Sequence, residues 1–178
     1  APEPIAYARE LGIVTIVTDH HEVPFTEEDG RRHYKLPPAQ AVVNPKQTDC
    51  PYPYKGLCGA GVTYKLAELL YGQKGIDRRE LDELLSYAAM ATVADVMDLN
   101  GENRIIVRDG LEILKRTENV GLRALMAVAD VDPERLSAYH IGFILGPCFN
   151  AAGRLATVRQ AFSLLLSPTM EEALPLAL

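Results

Sequence analysis

No apolar run in this sequence approaches the roughly 20 residues that cross a bilayer as a helix, although 48% of its 178 residues are apolar. Cysteine is scarce. Cys50, Cys58 and Cys148 form an odd, widely spaced set, which fits neither a disulfide framework nor a zinc-ligand spacing. Positive charge is in deficit. A net charge of −6 argues against a general nucleic-acid coat, because nonspecific binding rests on basic surface. It leaves open a single strand threaded into a local site where metal ions hold the phosphates. The sequence has no internal repeat and no low-complexity segment. Its glycine-rich stretch, Gly56 to Gly61, lacks the lysine and Ser/Thr of a Walker loop, which argues against nucleoside triphosphate binding. There remains a globular chain of ordinary charge content, long enough for one sizeable core, and the cytosol is the expected compartment.

The most organised stretch is Ile13-Val14-Thr15-Ile16-Val17-Thr18, which follows Gly12 and runs into Asp19-His20-His21. Six β-favouring residues without polar interruption read as a short strand buried on both faces, as in a parallel sheet. Open α/β sheets build their sites at the carboxyl ends of such strands. One carboxylate and two imidazoles there suit a divalent ion of intermediate hardness, such as Mn²⁺ or Fe²⁺; a polar strand end in a surface loop is the plainer alternative.

Upstream, Pro4 to Leu11 reads as the end of a helix, with Ile5, Ala8 and Leu11 on one face and Gly12 as the stop. Residues 22–40 read as a loop with turn chemistry at Thr26 to Gly30 and a small basic cluster of Arg31, Arg32, His33 and Lys35, either a solvated loop or a phosphate contact. Ala41-Val42-Val43 is the next strand, stopped by Asn44-Pro45. Tyr52 and Tyr54 belong to a second loop and either stack on bases or pack on their own loop. A helix follows Gly61, with Val62, Leu66, Leu69 and Leu70 on one side and Gly72 as its stop. Its glycine-rich start either holds an anion on backbone N–H groups or packs closely on the sheet.

The spacing predicts a helix from about Arg78 to Leu99, with Leu81, Leu84, Leu85, Ala88, Thr92, Val96 and Leu99 on one face. Asp95 falls roughly 20° from Leu84 and Ala88 on that wheel. A carboxylate there must be paired or bind a metal, unless the helix ends early. Beyond Asn100 the chain reads as helical: Glu102 to Arg116, Gly121 to Ala129, and a helix from Asp132-Pro133 to Leu145, broken at Gly146-Pro147. Further helices are expected near Asn150 and after Thr157. The fold class is therefore α/β, a partial parallel-sheet domain over 1–99 followed by a mostly helical part over 100–178.

Val17-Thr18-Asp19-His20-His21 resembles the signature of the DHH phosphoesterases. Three further stretches, Gly56 to Val62, Ala91-Thr92-Val93-Ala94-Asp95-Val96 and Gly146 to Leu155, are similar in order and spacing to the RecJ branch of single-strand-specific DNA exonucleases. The last of these is the most specific. The resemblance implies a phosphodiesterase acting on single-stranded DNA in repair and recombination, with two Mn²⁺ or Mg²⁺ ions. It implies His20 and Asp95 as metal ligands, Asp19 as a ligand or an orienting group, His21 facing the scissile phosphate, and Asn150 and Arg154 as phosphate contacts. Arg104 and Arg108 lie in a stretch also typical of the family, and a solvated helix face explains them equally well.

Two departures qualify this. The family's earlier motifs, an Asp-x-Asp and a further aspartate, do not occur ahead of the first strand. The chain is accordingly expected to be a fragment that is inactive by itself, binds Mn²⁺ weakly and self-associates through an open sheet edge. Cys148 also stands where the family has arginine, and a thiol does not replace a guanidinium fork at a phosphate. Alternatives are another DHH phosphoesterase, acting on oligoribonucleotides or cyclic dinucleotides, and a non-catalytic single-strand-binding scaffold.

Overall fold

In the computed structural model, residues 2–149 and 158–178 are described. The first helix, α1 (Pro2–Glu10), is closed by Gly12 at φ 74, with Gly12 N bonded to Arg9 O and Ile13 N to Ala8 O. Glycine enters this left-handed conformation without a Cβ penalty. Then comes β1 (Ile16–Thr18), paired in parallel with β4 (Ala41–Val43) in the register Ile16↔Ala41, Val17↔Val42, Thr18↔Val43. Gln40 N to Thr15 O and Asp19 N to Val43 O continue the ladder at both ends.

The expectation of a strand buried on both faces is corrected. Ile13, Val14 and Ile16 are 54%, 73% and 64% exposed. The reason is packing: among the described residues β1 has one strand neighbour, β4, so its apolar side chains have too little to lie against.

Residues 22–40 hold a hairpin rather than a loop. It consists of β2 (Phe25–Glu28) and β3 (Arg31–Tyr34), antiparallel, with Glu27 opposite Arg32 and Glu28 opposite Arg31. Asp29 and Gly30 both take positive φ, 51 and 72, as a two-residue type I′ turn requires. The strands escape the reading because nearly all their residues are exposed, so no apolar alternation marks them. The basic cluster is thereby offset by glutamates across the hairpin, and Arg32 lies 4.6 Å over the Phe25 ring.

The helical layer begins with α2 (Gly59–Lys74), capped by the Cys58 thiol, which accepts from Gly61 N. It ends at left-handed Gly75 rather than at Gly72. A 3-10 turn over Arg78–Leu81 leads to α3 (Asp82–Ala94), so the expected helix to Leu99 stops five residues short. Val96 N bonds Val93 O and Met97 N bonds Thr92 O, which closes the helix as a Schellman motif with Val96 left-handed at φ 56. A β-branched residue there costs about 1–2 kcal/mol. No glycine or asparagine advertises the stop.

Next come α4 (Gly101–Lys115) and α5 (Val120–Val128). Asn103, Ile106, Val107, Gly110 and Leu114 form the buried stripe of α4, at helical spacing. Gly110 permits the close α3–α4 crossing, because a Cβ there would lie 2.4 Å from Ala89 Cβ and 2.8 Å from Leu85 O.

Asp132-Pro133 starts only a 3-10 turn, Pro133–Arg135. The helical segment Ala138–His140 then widens into a π-helix over Ile141–Leu145. Gly146-Pro147 does not break it, since helical bonding continues over 146–149. Pro147 is tolerated there because a π-turn already disrupts the regular ladder in which its missing N–H would count. Two helices, α6 (Val158–Leu165) and α7 (Met170–Ala177), close the chain.

The buried residues form two clusters. One, including Leu57, Val62, Leu81, Ala89 and Ile106, lies between the 50s loop, α2, α3 and α4. The other, including Leu114, Leu122, Leu125, Ile141, Leu145 and Leu164, binds the later helices together. The first cluster sets the site, because it fixes the start of α2 against the end of α3.

Candidate metal centre

The β1–β4 ladder delivers Asp19 at the carboxyl end of β1. The next two residues turn back around its side chain. Asp19 Oδ1 accepts from His20 N at 2.7 Å, from His21 N at 3.1 Å and from His21 Nδ1 at 2.7 Å. Burial acts to raise this carboxyl, but the His21 side-chain bond, the two backbone bonds and the His21 charge outweigh it, and the group lies below its ordinary value. Asn44, buried at the end of β4, donates from Nδ2 to His21 O at 2.9 Å and so pins the backbone beyond the turn.

The second half of the site comes from α3. Its Schellman closure leaves Asp95 at the C-cap, half exposed, with Oδ2 3.2 Å from His20 Nε2. This corrects the expected placement on a buried helical face: the carboxylate meets an imidazole because the helix ends early. Two donors of one hard divalent ion, each about 2.1 Å away and 90° apart, are separated by about 3 Å. The His20–Asp95 spacing therefore fits a shared ion as well as a direct hydrogen bond. Asp19, His20 and His21 also each place one donor atom within 4.8 Å of the others. The histidine rings lie 4.2 Å apart, tilted by 41°.

The floor under His20 is the first turn of α2. A Cβ on Gly59 would lie 3.2 Å from His20 Nδ1. Cys58 joins that turn to α3, its Sγ lying 3.4 Å from Thr92 Oγ1. Asn44 and Gly59 are site residues that the sequence reading missed. Asn44-Pro45 was legible only as a turn, and Gly59 only as part of a glycine-rich helix start.

The other candidates fall elsewhere. Arg31, Arg32, His33 and Lys35 are exposed on or beside the hairpin. Arg104 and Arg108 are exposed on α4, with Arg108 paired to Asp109 at 2.6 Å. Asn150 and Arg154 lie outside the described residues. Tyr52 and Tyr54 pack onto α4. Tyr52 Oη donates to Glu102, and Tyr54 Oη lies 2.9 Å from Asn100 Oδ1.

Burial, followed by the bond to Glu102, pushes the Tyr52 phenol up to about 12, against a smaller opposing effect of Lys65. The folded state thus favours the neutral phenol. The stability this confers is whole below the ordinary tyrosine value near 10 and is lost as pH rises toward 12. Thermal melts at rising pH should show wild type losing its margin over Tyr52→Phe across that window; a constant margin would contradict it.

Comparison with known proteins identifies the family. Residues 1–92 match the DHH family, N-terminal domain. The chain belongs to the DHH family. It is 42% identical over 170 residues to the single-stranded-DNA-specific exonuclease RecJ of Bacillus subtilis, a match that takes in 96% of this chain and 20% of that protein. It is 38% identical to RecJ of Escherichia coli K12 over 97% of this chain and 30% of that protein. The crystal structure of RecJ from Thermus thermophilus in complex with Mn²⁺ superposes with a TM-score of 0.78 at 33% identity, over 99% of this chain and 25% of that one. A manganese-bound RecJ exonuclease gives the same score at 34% identity, over 42% of its length. The chain thus spans a fifth to less than a third of these curated relatives. Among the described residues, no helix is long and apolar enough to cross a membrane.

Proposed function

We propose that this chain forms part of the catalytic centre of a single-stranded-DNA exonuclease that hydrolyses phosphodiester bonds with Mn²⁺ or Mg²⁺, in the cytosol and in the service of DNA repair and recombination. The observation that carries the reading is the 3.2 Å approach of His20 Nε2 to Asp95 Oδ2 at the end of a parallel strand. In this reading His20 and Asp95 hold one ion between them. Asp19 either adds a ligand or orients His21 through its Nδ1 bond, as carboxylates commonly orient catalytic imidazoles. With Nδ1 so engaged, Nε2 of His21 is the ring nitrogen left to face the scissile phosphate. Asn150 and Arg154 are assigned to the phosphate chain on their sequence motif alone. Two bound divalent ions supply an activated water and neutralise charge on the phosphoryl oxygens.

The domain boundary near 99 also belongs to this reading, with the strand-bearing part holding His20 and the helical part guiding substrate. The unpaired side of β1 is proposed to accept a further strand, which sedimentation of the purified chain would reveal as self-association.

Mn²⁺ titration tests the metal claim directly. His20 and Asp95, even with Asp19 added, fall short of the six donors that hard divalent ions take, so weak binding is expected, abolished in His20→Ala. Binding that survives this substitution would refute the site. Gly59→Ala provides a finer probe. Its Cβ presses on the His20 ring at 3.2 Å, so Mn²⁺ affinity should fall by about tenfold, the scale of changes to groups that orient ligands. Its thermal midpoint should move little, since alanine is the better helix former. An unchanged affinity would show that His20 does not depend on this floor.

A further inference from the structure

The two segments that bring His20 and Asp95 together are tied by a residue that touches neither. Asn103, in the first turn of α4, is fully buried. Its Nδ2 donates to Gly56 O at 2.8 Å and to Asp98 O at 3.0 Å. Gly56 lies three residues before Gly59, the floor of His20. Asp98 lies three residues after Asp95. One amide group therefore joins the loop that backs the imidazole to the turn that carries the carboxylate. Only the NH₂ end of an asparagine serves two carbonyls at once, so the pairing sets the amide's orientation. Its Oδ1 is buried without a hydrogen-bond partner among the described residues, so the grip is one-sided.

The neighbouring contacts tighten the same joint. Tyr54 Oη meets the Asn100 side chain at 2.9 Å and its carbonyl at 3.1 Å. The Tyr54 ring lies so close over Gly101 that a Cβ there would meet it at 2.6 Å. Tyr52 reaches Glu102 on the next residue. The first turn of α4 is thus a clamp on both halves of the site, with Asn103 as its buried pin.

We propose that Asn103 is a positioning residue for the His20–Asp95 pair. The proposal rests on the reading of that pair as a hydrolytic centre, but the contacts that define it need no metal. Removing the amide donor leaves two carbonyls without their partner and releases the loop from the turn. Gly59 then moves off the His20 ring.

The test uses nuclear Overhauser contacts between the His20 ring protons and the Gly59 α-protons in the metal-free chain. Asn103→Leu keeps a similar volume and removes the donor. Tyr54→Phe removes one hydroxyl from the same clamp and is the milder variant. Leu125→Val, in the other core cluster, controls for general destabilisation. The expected result is loss of the contacts in Asn103→Leu and weakening in Tyr54→Phe, with methyl contacts in both core clusters intact and Leu125→Val unchanged. Contacts that persist in Asn103→Leu overturn the proposal. If that variant does not fold, unaltered contacts in Tyr54→Phe overturn it. Broadening of the same ring resonances by Mn²⁺ separates the two claims. Its absence in wild type defeats the hydrolytic reading, whereas at least tenfold more Mn²⁺ needed in Asn103→Leu supports positioning.

Discussion

Hydrolysis of single-stranded DNA by a polypeptide carrying this chain, together with the lengths its relatives have beyond it, is expected to fall by about 10²–10³-fold when His20 becomes alanine, the scale on which a preorganised charge-stabilising group is lost. His20 is the hinge of the site: Nε2 faces Asp95 and Nδ1 rests over Gly59. Asp95→Asn should lose nearly as much, because it keeps the shape and removes the charge that holds a cation. His21→Ala should leave Mn²⁺ binding by His20 and Asp95 in place while lowering kcat, since His21 is assigned to the phosphate. Rates and Mn²⁺ dependence measured side by side decide this. Near-normal hydrolysis by His20→Ala would remove the assignment, and equal loss of metal binding in His21→Ala would make His21 a ligand.

The largest effect on stability is expected far from that chemistry, at Gly121→Ala. A Cβ on Gly121 would sit 1.9 Å from Leu164 O and 2.6 Å from its carbonyl carbon. The obstacle is backbone at the end of α6, so no rotamer change relieves it. The same joint is sewn by Asn119, whose Nδ2 donates to Leu165 O at 2.9 Å while its Oδ1 caps α5. The helices must separate or tilt, at a cost of about 3 kcal/mol, the upper end for overpacking. For a domain of this size that lowers the thermal midpoint by roughly 6–12 °C. Calorimetric melts of the purified chain measure it directly, and a drop of under about 2 °C would mean that α5 and α6 are not so closely apposed. Gly110→Ala should also be costly, because Ala89 Cβ at 2.4 Å and Leu85 O at 2.8 Å give way only if the backbone shifts.

These two residues sit on opposite sides of what could be read from the chain. The strand ending in Asp19-His20-His21, the glycine stop of α1 and the buried stripe of α4 follow from local rules: β-branched runs, left-handed glycine and helical periodicity. The stretch Val17 to His21 was enough to point to the DHH family, because the donor types at that strand end are written in consecutive residues. The Asp29-Gly30 hairpin was locally encoded too, yet its strands bury almost nothing, so the apolar pattern that usually reveals strands was missing.

Tertiary structure decided the rest. Helical periodicity put Asp95 on a buried face, and the early close of α3 through left-handed Val96 put it at a helix end opposite His20 instead. Nothing local marks that stop, because the left-handed position is held by a valine rather than a glycine or asparagine. The floor beneath His20, the Asn44 tie to its turn and the Asn103 pin each join residues more than twenty positions apart. Sequence patterns carry the spacing within an element, whereas the closeness of two elements depends on side-chain volumes summed across the core between them. That is why the donor residues were legible one by one, and their meeting only in the folded chain.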